Sequence, residues 1–263
     1  MKRKKLAGNV LFFVGLILLW QFLYTAACDW FFWAKPYAIP NPAGVIRCFL
    51  LLLSDGTLPA AIFGSLLRVV TGFLISIFLG VLLGIGIINS SCLAQNLKPL
   101  ILGVQTLPSI CWVPFAILWF GLSESAIIFV VVMGSAFGIA LAIESSIQNI
   151  PPIYIKAAKT MGVNSYHLYR YVIFPAALPA FIGGLKQGWS FAWRALMSGE
   201  VMSASVGLGY TLMVGRDLAD INQVMTVILM IILIGILIDK GIFTAVEHRI
   251  LRKRGLMAEE QSY

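Results

Sequence analysis

The sequence predicts an all-α protein that crosses a membrane about six times. Three observations carry that reading. Leu6–Cys28, Val69–Leu97, Pro99–Ser123, Ser125–Ile143 and Ile221–Ile238 contain no charged side chain. A bilayer core takes about 20 apolar helical residues to cross. Of the 263 residues, 60% are hydrophobic and 11% charged, which leaves little polar surface for a soluble domain. Finally, the apolar runs are continuous and do not alternate. In lipid, where each backbone polar group must be satisfied internally, continuous runs read as helices and not as a closed barrel.

Taken in order, the first helix is expected at 8–27. Lys2, Arg3, Lys4 and Lys5 precede it, as in a secretory signal, but the run exceeds the usual h-region of about 7–15 residues. Ala26-Ala27-Cys28 resembles a lipoprotein cleavage site, with Thr25 where Leu is usual. An uncleaved first helix is expected. The segment 28–61 follows, with Trp30, Trp33 and Tyr37 as interfacial anchors and Pro36, Pro40, Pro42 and Pro59 making an extended or turning connection. The second helix, 62–88, places Gly80 and Gly84 on one face for close helix approach. Arg68 lies near its outer end, where it is read as snorkelling to headgroups.

The third helix, 98–120, is interrupted by Gln105, Thr106, Ser109 and Trp112 between Pro108 and Pro114. Polar groups beside prolines suggest a broken helix facing protein or water, either as pathway lining or as a packing kink. The fourth helix is expected at 125–146, the fifth at 177–198 and the sixth at 222–246. Lys186 and Arg194 lie eight residues apart on the fifth, within about 80° of each other around the axis. They either line an anion route or pair with Glu144, Glu200 or Asp239 to hold the bundle.

Positive residues are retained on the cytoplasmic side. With the N-terminus inside, 13 of the 19 Lys and Arg residues fall on inner segments (1–7, 89–97, 147–176 and the tail after 246) or at inner helix ends. Lys35, Arg47 and Arg216 lie on the outer segments 28–61, 121–124 and 199–221. Anionic lipid explains the net charge of +8 without nucleic acid. Cys28, Cys48, Cys92 and Cys111 show no metal spacing and read as apolar filler, with a Cys28–Cys48 pairing left open. No cofactor, metal or enzymatic role is expected. The chain divides into 1–61, a core at 62–246 and a tail at 247–263.

The longest inner loop, 147–176, is the informative one. Pro151-Pro152 ends the fourth helix. Residues 153–161 favour a short helix, Gly162 can stop it with a positive φ, and Asn164 or Ser165 can cap a second short helix, 166–173. Pro175 and Pro179 end that helix and set up the fifth span. The first short helix presents Ala157 and Ala158, the second Tyr166, Tyr169 and Tyr171. Such an element fits another protein's groove or lies on lipid.

The pair Ala157-Ala158, Gly162 four residues after Ala158 and Pro175 thirteen after Gly162 resemble the cytoplasmic loop of binding-protein-dependent ABC importer permeases, Glu-Ala-Ala, three residues, Gly, twelve residues, Pro. Lys156 replaces the usual Glu, Val172 an Ile and Phe174 a Leu. Leu118–Ala126, Ser65–Val69, Gly199-Glu200-Val201 and Gly207–Tyr210 are similar to segments of the nitrate, taurine and aliphatic-sulfonate permeases. The likeness covers about residues 60–250. It implies a MetI-like core that forms the pathway as one of two permease subunits, a homodimer or a pair of related chains. Cytoplasmic ATPases would bind Lys156, Ala157, Ala158, Gly162, Tyr166 and Pro175, and an extracytoplasmic solute-binding protein would deliver substrate. Gln105, Thr106, Ser109, Lys186 and Arg194 are the pathway candidates. The chain has no Gly-x-x-x-x-Gly-Lys-[Ser/Thr] loop for nucleotide, so the energy must come from a partner. An ion-gradient-driven transporter is the alternative. It would need embedded acids, for which Glu144 and Asp239 are the candidates.

Overall fold

A computed structural model describes residues 2–30, 33, 35 and 38–253. Its helices are α1 (Lys2–Thr25), α2 (Pro42–Ser54), α3 (Thr57–Asn89), α4 (Ser91–Gln105), α5 (Val113–Phe120), α6 (Glu124–Gln148), α7 (Pro152–Thr160), α8 (Ser165–Leu168), α9 (Phe174–Val201), α10 (Leu208–Asp217), α11 (Ile221–Ile238) and α12 (Ala245–Lys253). There are no strands among the described residues. Thr57–Asn89, Glu124–Gln148, Ser165–Val201 and Ile221–Arg252 are long and apolar enough to cross a membrane. Ser91–Gln105 and Ser109–Phe120 make a fifth crossing if counted together, bent by 102°. The described apolar part of α1, Val14–Cys28, is shorter.

The bend falls where the polar interruption predicts it. Thr106 and Leu107 close the end of α4, and Pro108 starts a short 3-10 turn, Ser109–Trp112. Proline cannot donate into a continuing ladder, so the chain turns there.

Several connections are more helical than expected. Residues 28–61 contain α2, because Asn41 accepts from the Ala43 amide and Pro42 occupies the first turn, where a missing donor costs nothing. Pro36 and Tyr37 lie outside the described residues. The segment 89–97, expected as an inner loop, is not a loop: Ser90 caps α4 directly after α3 ends. The segment 199–221, expected as an outer connection, contains α10, and the α3 helix begins five residues earlier than expected. All four cysteines are free thiols.

The chain packs as two units. One comprises Met1–Gly64 and Val206–Ile232. Within it, the Trp20 indole donates to the Pro40 carbonyl at 3.0 Å, and Asn222 accepts from the Asn41 amide at 3.0 Å. The Thr226 hydroxyl reaches the Val45 carbonyl at 3.1 Å. These bonds satisfy buried and part-buried polar groups around the starts of α2 and α11.

The other unit comprises Ser65–Ser205 and Leu233–Tyr263. Its centre is the packing of α6 against α9 and α3. Small residues set the spacing, as the sequence suggests for Gly80 and Gly84. A Cβ at Gly80 would lie 2.7 Å from Ile139, and one at Gly84 would lie 2.8 Å from the Ala140 carbonyl. Buried Ser135 donates to Ser76 at 2.8 Å across the same seam. Close backbone approach and hydroxyl pairs are the usual adhesives of spanning helices.

The second short helix is not separate from the fifth span. Ser165–Val201 runs as one 37-residue helical stretch. Tyr169–Ile173 is a π turn, in which the Phe174 amide donates to the Tyr169 carbonyl five residues back. The widened turn leaves room for the Pro175 ring against the preceding carbonyls and shifts the ladder past a residue with no donor. Pro179 then lies inside α9 without ending it, a tolerance typical of spanning helices.

Candidate functional site

The loop after α6 is built as a rigid turn. Pro151-Pro152 starts α7. Gly162 ends the turn with φ +73°, and the Val163 amide donates to the Ala158 carbonyl at 3.2 Å, the six-to-one bond of a Schellman cap. Asn164 then caps α8 by accepting from the His167 amide at 2.9 Å. Both capping residues carry out the roles their sequence positions suggest.

Ala158 corrects one expectation. It is buried with Ile150, Leu168, Ile173 and Ala177, so it seats α7 on the start of the long helix and does not face outward. Helical geometry points adjacent residues about 100° apart, so Ala157 and Ala158 point in different directions. Ala157 and Lys156 are exposed. Ala157 lies in an open depression of about 540 Å³ with Tyr154, Met161, Val163, Tyr171 and Pro175, and the buried Ala158 borders the same depression. Tyr166 is exposed on the other side of α8, along a second, apolar groove. The loop therefore presents a small-residue patch ringed by exposed apolar side chains: Ile153 is 64% exposed and Met161 82%. Clustered exposed apolar groups beside a small residue suit a protein interface.

The pathway candidates separate. Lys186 is held by Asp239 at 3.6 Å, Glu247 at 3.8 Å and the Thr244 hydroxyl at 3.1 Å. It follows the bundle-pairing alternative. Arg194 is exposed, donates to the Ser190 carbonyl at 3.2 Å, and its guanidinium lies 5.0 Å from the Phe191 ring centre. Ser109 and Ser198 exchange a hydroxyl bond at 3.2 Å. The Gln105 amide and the Phe191 ring both abut Gly138. Gln105 is exposed, as is Thr106, whose hydroxyl donates to the Gly103 carbonyl at 2.7 Å.

Gln187, Ser190, Arg194 and Ser198 form a polar stripe along α9, and the first three are exposed. Their spacing of three, four and four residues puts them on one face. A stripe of this kind on a spanning helix faces water or protein, not lipid. Only Arg194 of the four was legible as a candidate; the spacing of the other three was the available signal.

The principal surprise is Arg68, which does not snorkel. It is 5% exposed and pairs with Glu200 at 2.9 Å and Glu124 at 2.8 Å. Ser65 also donates to Glu200 at 2.8 Å, and Glu200 is fully buried. This network joins α3, the start of α6 and the end of α9. Glu144, too, is tied down, by Lys98 at 2.7 Å and by Gln148.

Residues 72–252 match the family described as binding-protein-dependent transport system inner membrane component. An ABC transporter permease protein of Methanocaldococcus jannaschii is 32% identical over 220 residues, spanning 79% of this chain and 80% of the relative. The aliphatic sulfonates transport permease protein of Escherichia coli is 31% identical over 226 residues, 86% of this chain and 84% of its own. The nitrate import permease protein of Synechocystis is 25% identical, covering 86% of this chain and 83% of the relative. Among solved structures, an amino acid ABC transporter chain superposes with TM-score 0.64 at 15% identity, covering 76% of this chain and 98% of that one. A methionine ABC transporter in an inward-facing conformation gives 0.57 at 19% identity, covering 70% and 93%.

Proposed function

The chain belongs to the binding-protein-dependent inner membrane components, the permease subunits of ATP-driven importers, and from that premise we propose how this one is coupled and what it carries. Two copies form the pathway in the plasma membrane of a prokaryote, with both chain ends in the cytoplasm. A cytoplasmic ABC ATPase grips the loop at Lys156, Ala157, Gly162 and Pro175. An extracytoplasmic binding protein delivers the solute. Two of the relatives are described as permeases for aliphatic sulfonates and for nitrate. A small anion of that kind is the proposed cargo here, with Arg194 as its cation on the polar stripe of α9.

The observation that carries this reading is the seating of α7. Ala158 packs α7 onto Leu168, Ile173 and Ala177, all within the stretch that continues to Val201. A push on the exposed patch is thus delivered to the base of the helix that bears the stripe. That helix spans about 55 Å at 1.5 Å per residue. Lys156 replaces a usual carboxylate, so the contact is predominantly apolar and steric here.

Substituting Ala157 tests the contact. Ala157→Arg is expected to abolish co-purification with the ATPase and stop uptake, while the purified permease keeps its thermal midpoint because the side chain is exposed. Uptake by the unaltered complex is expected to follow ATP depletion and to survive collapse of the proton gradient. Retained ATPase in Ala157→Arg, or uptake that follows the gradient alone, overturns the proposal.

A further inference from the structure

A groove of about 610 Å³ opens between the ends of α3 and α6 and the start of α9, on the side of α8 away from the Ala157 depression. Its volume lies within the range of small-molecule sites. The walls are apolar in depth: Val81 and Ile85 from α3, and Leu178 and Phe181 from α9. The mouth is polar, with Asn89 at the last residue of α3, Tyr166, Tyr169 and Arg170. From Val81 to Asn89 the groove follows about 12 Å of spanning helix. Its floor therefore sits at hydrocarbon depth and its mouth where the helices end, among headgroups.

The charge is one-sided. Arg170 is the single charged residue of the lining, and no carboxylate faces the groove. Among the described residues Arg170 enters no ion pair; its nearest partner of note is the Tyr171 ring at 6.0 Å. Elsewhere in this unit Lys98 and Lys186 are committed to Glu144 and Asp239, and Lys156, Lys159, Lys240, Arg249 and Arg252 do not line the groove. A groove with an apolar floor, tyrosines at the interface and one uncommitted guanidinium matches an amphiphile with an acyl chain and an anionic headgroup. We propose that this groove is a binding site for an anionic phospholipid, with the acyl chain between α3 and α9 and the phosphate on Arg170.

The site rests against the same α8 that leads out of the Gly162 turn, so a bound lipid would brace the base of the long helix. Testing it requires neither a partner nor transport. The full chain, purified in a neutral detergent, is titrated with phosphatidylglycerol and with phosphatidylcholine of the same acyl chains, and bound lipid is counted by native mass spectrometry. Phosphatidylglycerol is expected to bind about fivefold tighter, the worth of one cation at a membrane surface. Arg170→Gln is expected to remove that preference and leave the phosphatidylcholine level, while Arg170→Lys keeps most of it. Ile85→Trp, which fills the floor, is expected to weaken both lipids. Equal binding of the two lipids, or an unchanged preference in Arg170→Gln, overturns the proposal. Displacement of phosphatidylglycerol by inorganic phosphate with no effect of Ile85→Trp would make this an ion site and also overturn it. So would Arg170→Gln that releases the ATPase while lipid binding is untouched, since the guanidinium would then belong to a protein contact.

Discussion

Glu200 and Arg68 show at the level of single residues what a charge inside a spanning helix is for. Glu200 has no exposure, and its oxygens are engaged by Ser65 and Arg68. Removing one partner of a buried ion pair leaves the other uncompensated, at a cost of about 3–5 kcal/mol. Glu200→Gln is therefore expected to lower the thermal midpoint in detergent sharply, and Arg68→Met combined with Glu200→Met to recover most of it. A Glu200→Gln protein as stable as the parent would return Arg68 to a headgroup role. The presence of Arg68 in a span was legible. Its partners were not, because they lie 56 and 132 residues away and one sequence carries no pairing information over that distance. Arg194 has the opposite character: exposed, held by its own helix, and free to meet an anion. Arg194→Gln is expected to lower uptake severalfold with ATPase assembly and ATP hydrolysis intact. Loss of assembly would mark it as a packing residue.

Among the elements, α7 and the break after Gln105 were read correctly from local signals, whereas the second short helix, expected to end at its prolines, and the helices set by packing were not. The α7 helix, its Gly162 stop and its Asn164 cap follow from local chemistry, since each signal acts within four residues. The break after Gln105 likewise follows from Pro108. The α2 and α10 helices were missed. At 13 and 10 residues they are too short to stand alone in water and owe their stability to tertiary packing. The inward turn of Ala158 was legible in principle, from the 100° step between neighbours. Gly162→Ala tests the turn. No atom lies within 4 Å of the added Cβ, so the whole cost is the left-handed backbone, about 1 kcal/mol. Hydrogen exchange at Met161 and Val163 is expected to quicken several-fold while the α6 and α9 amides stay protected. Unchanged exchange at those two amides would mean that the turn does not depend on Gly162.

For the molecule as a whole, composition and charge placement established the membrane-spanning helical class, and the spacing of Ala157-Ala158, Gly162 and Pro175 led to the family. The number of crossings was less legible: six are expected, four helices are long and apolar enough, or five with the bent pair as one, and the difference lies in the first helix, whose described apolar part is only Val14–Cys28. The path from the loop to the spanning region was obscured for a different reason. Pro175 ordinarily halts a helix, and the π turn at Tyr169–Ile173 accompanies the continuation of this one. That turn also sets a clock face. One residue more than an α-helical turn advances everything downstream by about 100° around the axis. The bearings of Arg170 within the turn and of Arg194 farther along the helix are thereby offset by a fixed angle. Excising a single residue from 169–173 would remove that offset and turn Arg194 by about 100° relative to the loop.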